Sequence, residues 1–149
     1  MKYYLAYGMN TNLAGMAQRC PDATSLGKVM LTDHTLKFKH HADAEYCENR
    51  VMECALWIIT EECERKLDLL EGYPYYYDKK MVKVMWQGRY IESMIYFMTN
   101  SFDMPARPSQ SYLDMVLQGY HQHDMDTGAI HRAYEETLNL DLIDLTAYN

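Results

Sequence analysis

A single α/β domain (α+β) built around a mixed or antiparallel sheet is the fold the sequence predicts, on three observations. The chain has 149 residues, the length of about one domain. Hydrophobic residues make up 48% of it and charged residues 23%, the balance of a folded chain rather than a disordered one. Strand-like and helix-like patterns follow one another in the order β-α-β-β-β-α-β-β-α-α, with no repeat, linker or low-complexity tract.

Each element has a local reason. Lys2 to Tyr7 (KYYLAY) is aromatic and apolar, is bounded by Gly8, and reads as a strand. Met9 to Asn12 supplies turn and cap residues, and a short helix follows that ends before Pro21. Ser25–Leu31 and Thr35–His40 read as two strands split by a turn at Thr32-Asp33-His34, and the polar stretch His41 to Arg50 reads as a loop. Met52 to Ile59 is a buried strand. Thr60 then caps a helix with Glu61 and Glu62 in its first turn and Cys63 at N3, and Gly72 is its expected C′ residue. Tyr76 to Trp86 and Tyr90–Met98 form a hairpin about Gln87-Gly88. Pro105 and Pro108 mark a loop, Ser109 caps a helix, and a last helix covers Thr127–Leu138 before a polar tail.

Composition excludes several functions. The formal charge of −7 argues against a nucleic-acid partner, which needs a basic face for phosphates. No run approaches the roughly 20 apolar residues of a bilayer span, and the segment after Lys2 does not resemble an export signal. Cys20, Cys47, Cys54 and Cys63 show no CxxC spacing. They read as reduced thiols, and the chain as cytoplasmic, with no membrane association.

Two places break local rules. Glu71 stands at the negative end of its helix, where a cation is favoured. The dipole there would raise its pKa into the range of a general base or acid at neutral pH. A solvated glutamate at a frayed helix end is the plainer reading. The second place is Tyr7-Gly8-Met9-Asn10-Thr11-Asn12, where a strand passes through glycine into a helix. Such a turn leaves backbone N–H groups able to hold a carboxylate or oxyanion. The plainer reading there is a turn that uses Gly8 for its φ angle and Thr11 or Asn12 as a cap.

YLAYGMN followed by a helix, then Arg19-Cys20-Pro21, LDLLEGYP, IYFMTN and PSQSY, resembles the γ-glutamylcyclotransferase family, in the branch of γ-glutamylamine cyclotransferase and the plant AIG2-like proteins. The likeness spans roughly residues 3 to 120 in the family's order. It implies a small mixed β-barrel flanked by helices. It also implies conversion of an L-γ-glutamyl amine or peptide into 5-oxoproline and free amine, with a small-molecule substrate and no metal, nucleotide or other cofactor. By the same likeness Glu71 is the catalytic acid/base, and Tyr7, Gly8, Met9, Asn10, Tyr77 and Tyr112 bind substrate. One position departs from the pattern: Met9 stands where the family's YGSN carries serine, and a thioether cannot donate a hydrogen bond. A non-catalytic binder of γ-glutamyl-like or other small ligands on the same fold is the alternative function. A protein-interaction module that keeps the scaffold is a third.

Other clusters carry less. His121, His123, Asp124 and Asp126 lack the spacing of a helical ligand pair, and an EF-hand reading fails because Ala129 takes the place of the loop glycine. His40-His41 reads as a strand end. Cys54 reads as core, and the tyrosines Tyr73, Tyr75, Tyr76 and Tyr77 as packing or pocket wall.

Overall fold

The computed structural model describes residues 1–99 and 104–147, with side chains through Asn139. Its five strands are β1 (Lys2–Ala6), β2 (Thr24–Lys39), β3 (His41–Ile59), β4 (Tyr77–Trp86) and β5 (Arg89–Met98). Its helices are α1 (Leu13–Arg19), α2 (Glu61–Leu70), α3 (Gln110–Gln122) and α4 (Gly128–Ala147), with a 3-10 turn at Met9–Thr11. The strands form one sheet in the order β2-β3-β1-β5-β4, in which β1 runs parallel to β5 and the other pairs are antiparallel.

The short first strand sits at the sheet's centre, with the consecutive residues Tyr4, Leu5 and Ala6 buried on both of its faces. Leu5 pairs with Leu56 on one side and Ile95 on the other, and all three are fully buried. The sheet curls until its edges meet: Lys80 Nζ of β4 donates to His34 Nε2 of β2 at 3.0 Å, while the other ring nitrogen bonds the Thr32 carbonyl. Among the described residues no strand pairing joins those edges, so the small mixed barrel is open. Helix α3 lays Val116 and Tyr120 onto the core, and α4 packs along β2.

Several sequence expectations change. Ser25–Leu31 and Thr35–His40 are parts of one strand, and the expected turn at Thr32-Asp33-His34 is a bulge with Asp33 at φ 61°. The expected loop His41 to Arg50 is the first part of β3, paired with β2 from Lys39↔His41 to His34↔Tyr46. Its polar composition reflects an arm that extends beyond the core, with Tyr46 largely exposed. The final helix runs on to Ala147 rather than stopping at Leu138. Cys20 and Cys63 are not reduced thiols but a disulfide, because the end of α1 meets the first turn of α2 with 5.3 Å between their Cα atoms. Cys47 and Cys54 are free. Asn100, which ends the IYFMTN stretch, lies outside the described residues.

The hairpin signal is realised directly, with Gln87 at φ 49° and Gly88 at φ 79°. No described helix is long and apolar enough to cross a membrane.

Candidate active site

The turn after β1 is fixed from within and from above. Within it, Thr11 donates twice to the Gly8 carbonyl, from N–H at 3.1 Å and from Oγ1 at 2.7 Å. Asn12 caps α1 by accepting from Gly15 N–H at 3.1 Å, and its Nδ2 reaches up to Gln118 Oε1 and the Met115 carbonyl of α3. The Tyr120 hydroxyl donates to the Tyr7 carbonyl at 2.7 Å. Gly8 is required for space rather than for its φ of −117°: a Cβ there would lie 2.9 Å from the Tyr112 hydroxyl and 3.0 Å from Ala42 Cβ.

Glu71 is placed by the end of α2. Thr60 caps the start by accepting from Cys63 N–H at 3.1 Å. At the other end Gly72, at φ 63°, closes a Schellman motif in which Tyr73 N–H bonds the Asp68 carbonyl and Gly72 N–H the Leu69 carbonyl. The chain then folds back, with Tyr77 N–H on the Glu71 carbonyl, so that Tyr76 and Tyr77 arrive beside the carboxylate. The glycine stop that was legible in the sequence thus aims Glu71 inward rather than leaving it frayed.

These two segments face each other across a cavity of about 250 Å³. All the residues singled out from the sequence line it: Tyr7, Gly8, Met9, Asn10, Glu71, Tyr77 and Tyr112. So do Tyr76, one of the tyrosines expected as packing or pocket wall, and Tyr4, Tyr96, His41 and Ala42, which no sequence pattern singles out. Tyr4 and Tyr96 stand in strands, whose alternation does not reveal which face will carry a hollow. His41 and Ala42 fall in the polar stretch that reads as a loop from sequence alone. The His40-His41 pair does not act as a unit; His41 Nδ1 instead lies 2.8 Å from the Tyr76 hydroxyl. His123 is engaged elsewhere, with Ser25 Oγ and the Gly119 carbonyl.

The hydroxyls around the cavity are already sorted by role. Tyr7 donates to the Tyr96 carbonyl at 2.6 Å and Tyr77 donates to the Ala42 carbonyl, so each presents lone pairs to the cavity. Tyr112 is the opposite case. Its oxygen accepts from Ala42 N–H at 3.0 Å, which leaves its hydrogen free for an acceptor.

Glu71 is the ionisable acid of this cavity. Burial pushes its pKa up from 4.5 to about 7, against the opposing pull of Arg19 and of the hydrogen bond from Asn10 Nδ2 at 3.2 Å. The cause is desolvation, where the sequence had suggested the helix dipole. Burial, helped by the Glu71 charge, also raises Tyr4, Tyr76, Tyr77 and Tyr112, so the phenols stay protonated. Burial lowers His41, with His40 adding to the effect, and so favours its neutral form. Cys54, deep in the core, is pushed up by burial and offers no nucleophile.

The family model described as gamma-glutamyl cyclotransferase, AIG2-like, matches residues 4–122. No curated protein matches the chain by sequence. Among solved structures, one named gamma-glutamyl cyclotransferase superposes with a TM-score of 0.77 at 23% identity, covering 89% of this chain and 85% of its own. An uncharacterized protein from Homo sapiens gives 0.74 at 25% identity, over 82% of this chain and 79% of its own. An AIG2-like protein from Mus musculus gives 0.57 at 17% identity, over 76% and 82%. With the fold shared and the match running from the central strand through α3, this chain belongs to the AIG2-like gamma-glutamyl cyclotransferase family.

Proposed function

We propose that the protein converts an L-γ-glutamyl amine or peptide into 5-oxoproline and a free amine. The observation that carries this reading is Glu71, a carboxyl with a pKa near neutrality, facing the Gly8–Asn10 turn across a hollow small enough for one acyl unit. At about 250 Å³ the cavity falls below the size of most drug-sized sites, so the leaving amine would extend through the mouth past His41, Tyr76 and Leu70.

In this mechanism the substrate's α-amine attacks its own γ-carbonyl carbon. Holding the two in near-attack geometry supplies a large part of the rate, on the order of several kcal/mol of barrier. The substrate ammonium meets the lone pairs of Tyr7 and Tyr77, and Glu71 accepts its proton. The oxyanion of the tetrahedral intermediate takes the free hydrogen of Tyr112 and the Asn10 amide, which precedes the first internal bond of the 3-10 turn. That first proton passes from Glu71 on to solvent. The attacking nitrogen, positively charged once its bond to carbon forms, gives its second proton to Glu71, and Glu71 hands it to the departing nitrogen as the amide C–N bond breaks. The freed amine takes up a proton from water, so the count closes without metal or cofactor. The sulfur of Met9 lies toward Arg19, at 3.8 Å from Nη2, so replacing the usual serine leaves the main-chain donors of the turn in place.

The test is 5-oxoproline release from a panel of γ-glutamyl amines and γ-glutamyl peptides. Glu71→Gln is expected to lower kcat by about 10²–10⁴-fold while ligand-induced thermal stabilisation persists. Equal rates for the two proteins would remove Glu71 from the mechanism. Stabilisation by ligands without product from either protein would make the chain a binder.

A further inference from the structure

Arg19 is the last residue of α1, where a cation is favoured by the helix's negative end. That preference alone would leave it in solvent. Its guanidinium instead folds back toward the cavity. Nη1 donates to Asn10 Oδ1 at 3.0 Å, and Nη2 lies 3.8 Å from the sulfur of Met9 and 3.9 Å from that of Met115. Gly15 opens this path: a Cβ there would stand 2.7 Å from Nη1 and 3.3 Å from Cζ.

Asn10 is only 2% exposed, and the two ends of its amide are chemically distinct. A guanidinium has donors alone, so the carbonyl end must face Arg19. The NH2 end is thereby turned to Glu71 Oε1 at 3.2 Å and the Tyr4 hydroxyl at 2.9 Å. We infer that Arg19 is a positioning residue of the reaction: by holding the Asn10 carbonyl it aims the Asn10 NH2 at Glu71 and fixes the carboxylate that accepts the substrate's proton. This rests on Glu71 being the base, as proposed above.

The other groups around Glu71 cannot do this work. Tyr4 of β1, Tyr96 of β5 and Tyr112 of α3 are neutral phenols, as are Tyr7 and the Tyr76-Tyr77 pair beyond α2. His41 at the start of β3 is biased toward its neutral form by burial. Arg19 by its charge and Asn10 by its hydrogen bond are the two groups that favour the Glu71 anion, and the bond from Arg19 Nη1 to Asn10 Oδ1 joins them. Without Arg19 the Asn10 amide can turn its carbonyl to Glu71, which favours the protonated acid.

The test uses the full chain with Arg19→Met, Arg19→Lys and Gly15→Ala. The Glu71 carboxyl is titrated directly by carbon NMR, beside the pH profile of 5-oxoproline formation. Arg19→Met should move the Glu71 midpoint up by about half a pH unit or more and lower kcat at neutral pH more than it changes KM. Arg19→Lys should recover part of both. Gly15→Ala should raise Tm, since alanine favours the helix, yet shift the midpoint and kcat the same way as Arg19→Met. If Arg19→Met fails to fold, Gly15→Ala carries the measurement. A Glu71 midpoint unmoved when the guanidinium is removed or displaced overturns the proposal. Turnover retained by Glu71→Gln would instead sink the base assignment, and the NMR midpoint would still judge Arg19 by itself.

Discussion

Glu71 pays no visible penalty in hydrogen bonds, but its charge sits where water is scarce, and this has a consequence measurable without substrate. Its pKa of about 7 in the folded protein lies above the ordinary 4.5. Between those values the folded chain binds more protons than the unfolded one, so stability falls as pH rises through the window. Below 4.5 both states carry the proton and the group imposes no cost; above about 7 the full cost is present. Its size is on the order of 1–3 kcal/mol, since the cavity admits some solvent. Glu71→Gln keeps the shape and removes the charge. The variant is therefore expected to melt higher than wild type at pH 8 and close to it at pH 4.5. A Tm difference that does not grow with pH would place the carboxylate in bulk water. The same ionisation sets activity with the opposite sign: the base must be anionic, so kcat/KM should fall on the acid side of about pH 7. Stability and turnover thus pull against each other at one side chain.

Among the elements, α3 decides whether the first turn is a site or merely a connection. Gly119 lets α3 press onto that turn: a Cβ there would come within 2.1 Å of Thr11 Oγ1 and 2.7 Å of Asn12 N. Neither neighbour is free to yield, because Thr11 is tied to Gly8 and Asn12 to α1 and α3. Alanine is the better helix former by about 1 kcal/mol, yet Gly119→Ala is expected to destabilise by about 1–3 kcal/mol through overpacking. It should also lower kcat, because the displaced turn carries Asn10. Chemical denaturation and 5-oxoproline release measure the two effects, and a stabilised, fully active variant would mean that α3 does not clamp the turn. The contact also marks what the sequence could disclose. Thr60, Gly72, Asn12 and Gln87-Gly88 act on their own backbone within a few residues, and all were legible. Gly119 and Gly8 act on segments about a hundred or several tens of residues away, so no local pattern reveals why they are glycine. The arm from His41 to Arg50 failed for a related reason. Its strand character comes from pairing with β2 rather than from an apolar face, and with it went His41 and Ala42 of the cavity wall.

At the scale of the whole molecule, the halves of the site come from opposite ends of the sheet's connections, and one covalent link spans them. The turn and α1 follow β1; Glu71 ends α2, which follows β3. Cys20 closes α1 one residue after Arg19, and Cys63 lies in the first turn of α2, two turns ahead of Glu71. Their disulfide joins positions 43 residues apart. Closing a loop of that length removes freedom from the unfolded chain worth about 4 kcal/mol in the chain-entropy account, and typically about 2–4 in practice. The pairing was not legible because no short cysteine spacing announces it; only the meeting of two helix ends in space does. Cys20→Ala with Cys63→Ala is expected to lower Tm markedly. Added reductant should do the same to wild type and nothing further to the double variant. Cys54 and Cys47 serve as internal controls, one sealed in the core and the other on the β3 arm. A reductant-sensitive Tm that survives in the double variant would move the effect to those residues. An insensitive wild type would leave α1 and α2 joined by packing alone, with the separation between Arg19 and Glu71 held only by the side chains between them.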